Sequence, residues 1–365
     1  MSERAMRAGG RLKAFTKSKL FWALVAEALI LLVGFILRPD FLSIQLRTLA
    51  DGSRVLYGTP VDILNRSAEI TIIALGMTMA IALGGTDISV GALVAVSGAI
   101  ALKFLRWDVL VYTTPGDYTV QPFIWVIVVP LVACTLMGLF NGTLIGKLRI
   151  QPIIATLILM VAGRGIAQIV TNGKQFTTQY TPFKFIAGGS ILGVPLPIVI
   201  TVVVAAAVML FVRQTSFGMF VEAVGINPSA SRVSGLKSGT IIMLAYTLTG
   251  LLSGISGLIY SSRIISNDSN NAGLGYEMDA ILAVVIGGTS MTGGKFSLTG
   301  TVIGSLVIRT ITTLVLYFGV VSEAIMAFKA LIIAVVIVLQ SEPVRNALAR
   351  RRVTRRRMLG GEARA

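Results

Sequence analysis

Apolar runs broken by short polar connections occupy most of this chain, near 20–37, 66–83, 89–105, 123–145, 152–170, 193–212, 239–261, 279–289, 298–318 and 322–340. An α-helical crossing needs about 20 mostly apolar residues, and in lipid only closed helices or barrels satisfy every backbone polar group. These runs are too long and too poorly alternating for barrel strands. They predict an all-α polytopic membrane protein of about ten transmembrane helices. The eighth run is short for a full crossing and ends in GGTSMTGG, 287–294. One transmembrane domain, 20–340, therefore lies between basic segments at 1–19 and 341–365.

Charge gives the runs an orientation. The 365 residues are 55% hydrophobic and 13% charged, with a net charge of +16, against roughly a quarter charged in a soluble domain. Lys and Arg concentrate at the two ends and in short connections, as the positive-inside rule requires. Ten crossings with both termini inside put twenty of the 32 Lys and Arg inside and nine outside. Both termini are thus expected in the cytoplasm. The tail RRRVTRRRM, 350–358, suits anionic headgroups, and the bilayer rather than nucleic acid is the predicted partner. No small-residue cleavage site follows the first run, so it reads as a retained span. The chain has no histidine and one cysteine, Cys134. That excludes a histidine triad, a histidine metal site and an internal disulfide.

Candidate chemistry begins with GGTDIS, 84–89, where a carboxylate sits between two apolar runs. Broken helices need protein or water around their freed backbone groups and line cavities. Gly84 and Gly85 would end one helix, and Asp87 or Ser89 would cap the next. LGGT at 83–86 is echoed by IGGT at 286–289, which suggests two weakly related halves of about five spans each. Gly84, Gly85, Asp87, Ser89, Asn141, Gly287 and Gly288 are therefore candidates for the translocation pathway or its helix breaks. The glycines of GLFNGTLIG, 138–146, and GLLSGISGL, 250–258, read first as close helix packing. GGTSMTGGKFS fails as a phosphate loop, because Thr289 and Phe296 stand where Gly and Ser or Thr are needed. No cofactor or metal site is expected on this chain.

The polar stretch RQTSFGMFVEAVGINPSASRVSGLKS, 213–238, lies inside by charge. Asn227 is a natural N-cap, Pro228 suits a first helical turn and Gly235 a left-handed stop. They frame a helix too short to be stable alone, which packing must order. On the opposite side, SRIISNDSNNAGLGYEMDA, 262–280, suits a soluble partner on the outer face, the mouth of a pathway or a plain surface loop, and Asn270, Asn271 and Glu277 are its candidates for facing a partner. Arg164 is the charge nearest mid-span, where a charge is either paired or functional.

Several stretches together resemble the permease subunits of ribose-type bacterial ABC sugar importers. They are LGMTMAIALGGTDISVGALVAVSGA (75–99), IQPIIATLILMVAGRGIAQIVTNG (150–173), EAVGINPSASRVSG (222–235) and DAILAVVIGGTSMTGG (279–294). DILNRSAE (62–69), GMFVEAVGIN (218–227) and NNAGLGYEMDAILAVVIGG (270–288) bring the likeness nearest to a galactofuranose permease. The resemblance implies a non-catalytic subunit of the inner membrane that carries a monosaccharide by alternating access. It implies as partners a periplasmic sugar-binding protein, a second permease subunit and a cytoplasmic ATPase subunit that holds ATP and Mg. It further implies that 213–238 is the ATPase-coupling segment, with Glu222, Ala223 and Gly225 matching the family pattern, followed by Asn227, Pro228, Ala230, Arg232 and Gly235. The connection RWDVLVYTTPGDYTVQ, 106–121, is longer than the family leads one to expect. Two other classes stand beside this reading. An ion-coupled secondary transporter acting alone needs an intramembrane ion site, for which Asp87 and Arg164 are the suggestive residues. A membrane enzyme needs clustered carboxylates on a metal, and Glu277 with Asp279 is the nearest such pair.

Overall fold

The structure, a computed structural model, describes residues 19–48, 54–107 and 122–319, with positions 327, 330, 331 and 334. The basic segment 1–18, most of the 106–121 connection, the tail 341–365 and all but those four positions of the expected tenth span lie outside the described residues.

Helix α1 (Lys19–Leu37) leads through a single 3-10 turn, Pro39–Leu42, into a hairpin of β1 (Gln45–Thr48) and β2 (Arg54–Tyr57), with Gln45 opposite Tyr57. The chain then runs through α2 (Thr59–Ala82), α3 (Val90–Trp107), α4 (Phe123–Gly146) and α5 (Pro152–Thr171). After β3 (Phe176–Thr177) and α6 (Thr181–Gly188), a tight hairpin of β4 (Ser190–Ile191) and β5 (Val194–Pro195) feeds α7 (Leu196–Gln214). Two short helices, α8 (Ser216–Ile226) and α9 (Pro228–Val233), precede α10 (Ser238–Ile264). β6 (Ser266–Asn267) pairs antiparallel with β3, and α11 (Tyr276–Ile286) and α12 (Leu298–Tyr317) follow.

Each of the first nine apolar runs coincides with one of these helices. Five of them, α4, α5, α7, α10 and α12, are long and apolar enough to cross a membrane. The protein is a polytopic, all-α membrane protein. Helix α11 has 11 residues, about 16 Å at 1.5 Å per residue, against a hydrocarbon core of about 30 Å. It does not cross by itself. The chain reaches it through a non-helical stretch from Ser266, and α11 packs among α2, α3 and α12.

Helices α2 and α10 form the centre. From Ser67 to Ala82 every residue of α2 is buried, which is why its apolar positions show no single face. Its hydroxyls bond sideways: Thr71 Oγ1 lies 2.6 Å from Ser305 Oγ and Thr78 Oγ1 2.8 Å from Thr301 Oγ1, both on α12. The one charge in this stretch, Glu69, accepts from Arg263 Nε of α10 at 2.6 Å, while Arg263 Nη2 also reaches the Asn65 carbonyl at 2.8 Å.

Helix α4 approaches α10 along a seam of glycines. At Gly138, Gly142 and Gly146 an added Cβ would stand 2.5, 2.6 and 2.3 Å from the carbonyl oxygens of Tyr246, Met243 and Gly239. Spacing of four places all three on one face, so the backbones touch without side chains between them.

Candidate functional site

At one end of the bundle, both glycine-rich breaks meet. Helix α2 stops at Ala82, Gly84 takes φ +79°, and the chain folds back until the Asp87 amide lies 3.5 Å from Met77 Sδ. Asp87 Oδ1 accepts from the Ser89 backbone N–H at 3.0 Å and from Ser89 Oγ at 2.5 Å, just before α3 begins. The carboxylate thus closes a turn on Ser89, whose carbonyl accepts the first bond of α3 from Leu93 N–H at 3.0 Å. Ser89 Oγ in turn accepts from Asn141 Nδ2 of α4 at 3.0 Å. Asp87, Ser89 and Asn141 are wholly buried, and Asp87 Oδ2 and Asn141 Oδ1 make no hydrogen bond to the described residues.

The second break opens after α11. Gly288 takes φ +96°, Thr289 Oγ1 accepts from the Ser297 amide at 3.3 Å, and Ser297 caps α12 by accepting from Gly300 N–H at 3.0 Å. Between these points Gly294 N–H donates to the Ala82 carbonyl at 2.8 Å. Two segments some 200 residues apart in sequence thus share a hydrogen bond at the end of α2. The echo of LGGT and IGGT corresponds to two helix ends, each followed by a glycine turn and a new helix.

The polar stretch 213–238 folds over this junction as a helical corner. Thr215 Oγ1 accepts from Phe217 N–H at 3.3 Å to start α8, and Asn227 Oδ1 accepts from Ser229 and Ala230 N–H, each at 3.0 Å, to start α9. Gly235 stops α9 with φ +85°. Gly225 is the point of contact: a Cβ there would stand 1.9 Å from the Ala82 carbonyl oxygen and 2.7 Å from Gly294 N. Glu222, Ala223 and Gly225 are half-buried, whereas Asn227, Pro228, Ala230, Arg232 and Gly235 are exposed. Apolar side chains crown the corner, with Met219 65%, Ile226 68% and Val233 91% exposed. Clefts flank it on both sides. One, of about 360 Å³, lies between Arg213, Glu222 and Phe296; the other, of about 290 Å³, between Arg149, Arg232 and Tyr246.

Toward the other end, Arg164 of α5 donates through Nη1 to the carbonyls of Ala272 (2.5 Å) and Ser269 (3.2 Å). One turn on, Gln168 Nε2 donates to Asn270 Oδ1 at 2.5 Å. These bonds hold the 268–275 loop against α5. Within the loop, Asp268 accepts from the Asn271 side chain at 2.7 Å and from the Asn270 amide at 3.0 Å, and those bonds hold its carboxyl below the usual value. Asn270 and Asn271 are exposed. Glu277 lies apart from them, in the first turn of α11, against Gly91 of α3.

Residues 59–340 match the family described as the permease component of branched-chain amino acid transport systems. The chain belongs to this permease family. It is 43% identical over 321 residues to a galactofuranose transporter permease of Escherichia coli (strain K12), covering 87% of this chain and 89% of the relative. A fructose import permease of Bifidobacterium longum is 37% identical, with 100% and 99% covered. A ribose import permease of Haemophilus influenzae is 34% identical, with 85% and 90% covered. No solved structure matches the chain. The ribose-type likeness read from the sequence, and its lean toward a galactofuranose permease, are borne out.

Sequence reasoning grouped Asn141 with the two GGT turns as pathway candidates and set Gly225 apart in the 213–238 segment, and the fold brings all of them to one end. It also read 213–238 as a connection with a single short helix, while Thr215 starts a second one, α8. The signal was available in TSFGMFVEAV, a capping residue ahead of an apolar run. Arg164, Gln168 and Glu277 were likewise unconnected, although Arg164 and Gln168 stand four residues apart on one helix face.

Proposed function

We propose that this chain is the non-catalytic transmembrane subunit of an ATP-driven importer. It carries a monosaccharide, a pentose or hexose of which galactofuranose is one candidate, across the bacterial inner membrane by alternating access. A periplasmic binding protein delivers the sugar, a second permease subunit completes the pathway, and separate cytoplasmic ATPase subunits hold ATP and Mg. The relatives named as sugar importers favour sugar over amino-acid cargo.

The observation that carries the coupling assignment is the contact of Gly225 with both helix breaks. A partner that moves the α8–α9 corner acts directly on the ends of α2 and the 287–297 break, with no side chain to absorb the motion. The exposed apolar crown of Met219, Ile226 and Val233 suits a protein groove, and Glu222 and Arg232 give it charged edges. On this reading the corner is where ATPase movement enters, and the breaks at Gly84–Ser89 and Gly287–Gly288 are where it reaches the pathway.

The test uses the permease reconstituted with its ATPase, binding protein and second permease subunit. Gly225→Ala is expected to leave membrane insertion and complex assembly intact and to reduce ATP-driven sugar uptake at least about tenfold, since its Cβ forces the corner off Ala82. Glu222 and Gly235 substitutions are expected to uncouple ATP hydrolysis from uptake. Normal uptake in these variants would sink the coupling assignment. Uptake into vesicles holding this chain alone, driven by an ion gradient, would replace it with a secondary transporter.

A further inference from the structure

Away from the α8–α9 corner, a cleft of about 440 Å³ opens among Ala92, Met160, Val161, Arg164, Gly165, Gln168, Leu274 and Glu277. Its walls come from three helices, α3, α5 and α11, and from the loop that leads into α11. The volume falls within the roughly 300–1,000 Å³ typical of small-molecule sites. Its lining is apolar except for one cation, one amide and one carboxylate. Charges at this depth are costly and face either a partner or a water-filled space.

Arg164 and Glu277 line the same space, yet no ion pair closes between them among the described residues. Arg164 uses Nη1 on the two loop carbonyls. Its Nε and Nη2 make no hydrogen bond to the described protein and keep three N–H donors. Glu277 supplies acceptors across the cavity, and Gln168, exposed on the same face as Arg164, supplies both. Fixed donors opposite fixed acceptors match a neutral polyhydroxyl compound, whose hydroxyls do both at once. The carboxylate disfavours an anion such as a lipid phosphate, and the guanidinium disfavours a cation. The apolar side chains of Met160, Val161 and Leu274 suit the C–H face of a sugar ring.

We propose that Arg164, Gln168 and Glu277 form a monosaccharide subsite in the permease, where a sugar rests on its way from the outside toward the Asp87 break. This rests on the transporter reading above and adds a specificity-determining site to it. The Arg164 bonds to Ser269 and Ala272 tie the site to the 268–275 loop, so a sugar there is sensed by the segment leading into α11.

The test needs no ATPase. The only cysteine, Cys134, is wholly buried, and Gly165 lines the cavity at a point where an added Cβ meets nothing within 4 Å. A thiol introduced as Gly165→Cys in the full-length chain therefore reports on the cavity and leaves all three polar groups in place. A membrane-impermeant thiol reagent is expected to label G165C in proteoliposomes, and D-ribose, D-fructose or D-galactose to slow that labelling. At ten times its Kd a sugar should slow labelling about tenfold, L-leucine should not, and Glu277→Gln in the G165C background should lose most of the protection. Labelling of G165C/E277Q without sugar shows that the variant is folded and open. Protection by phosphatidylglycerol but by none of the sugars would make this a lipid site. No labelling at all, or labelling indifferent to every sugar, would also overturn the proposal. ATP-driven uptake without sugar protection removes the subsite alone; sugar protection without ATP-driven uptake keeps the subsite and removes the ATP-driven reading.

Discussion

Asp87 is surrounded by protein, and its hydrogen bonds all come from Ser89 two residues on. One carboxylate oxygen closes the turn on Ser89 and the other, Oδ2, meets no donor among the described residues. A buried charge without a cation beside it is a cost, whereas the turn that leads into α3 is a gain. The two effects are separable by substitution. Asp87→Asn keeps the accepting oxygen and removes the charge, so it is expected to melt at or above the wild-type temperature and to retain sugar uptake. Asp87→Ala removes the acceptor and should cost about 1 kcal/mol, read as a lower melting temperature in detergent. Abolished uptake in a well-assembled D87N protein would instead give the charge a part in transport. The turn was legible in GGTDIS because such turns are decided within a few residues. Its continuation to Asn141 was not, since it crosses 52 positions and depends on how α4 docks.

Among the helices, the same division between local and distant information appears. Helix ends followed Pro, Gly and Asn in the sequence: Pro152 opens α5, Asn227 caps α9 and Gly235 stops it. The glycines at 138, 142 and 146 marked a close-packing face, but nothing local said that α10 would fill it. Contact with backbone rather than flexible side chains makes this seam intolerant of added volume. Gly142→Ala would place a methyl group 2.6 Å from the Met243 carbonyl oxygen. It should cost about 2 kcal/mol, with a matching fall in thermal stability and no change in the G165C labelling pattern at temperatures where the protein stays folded. A neutral outcome would mean that α4 and α10 sit farther apart. Helix α11 carried a different ambiguity. Its run was apolar but short, and periodicity alone does not say that a segment starts inside the bilayer. Its burial among α2, α3 and α12 answers that, because a half-helix is stable there only with protein around it.

For the whole molecule, orientation links the inner corner, the outer cavity and the direction of transport. The charge count argues for Arg213, Arg232 and Lys237 on the inner side, and in the proposed orientation the α8–α9 corner faces the cytoplasm. Helix α7 then carries the chain from the β4–β5 hairpin on the outside to that corner, and the two ends differ in ways a thiol can report. Leu192 in the hairpin is 99% exposed and Val233 in α9 is 91% exposed, while Cys134 is buried and silent. Leu192→Cys should react with an impermeant reagent in right-side-out vesicles and Val233→Cys only in inside-out ones. The reverse pattern would turn the Arg164 cavity toward the cytoplasm and the Gly225 junction away from any ATPase. The positive-inside rule acts through short loops, and most of the counted excess lies in the terminal segments. A neutralised C-terminal tail is therefore the sharper arm: with Arg213, Arg232 and Lys237 intact, V233C is expected to stay inside, because α7 and α10 are held by their own flanking charges and by the packed core between them.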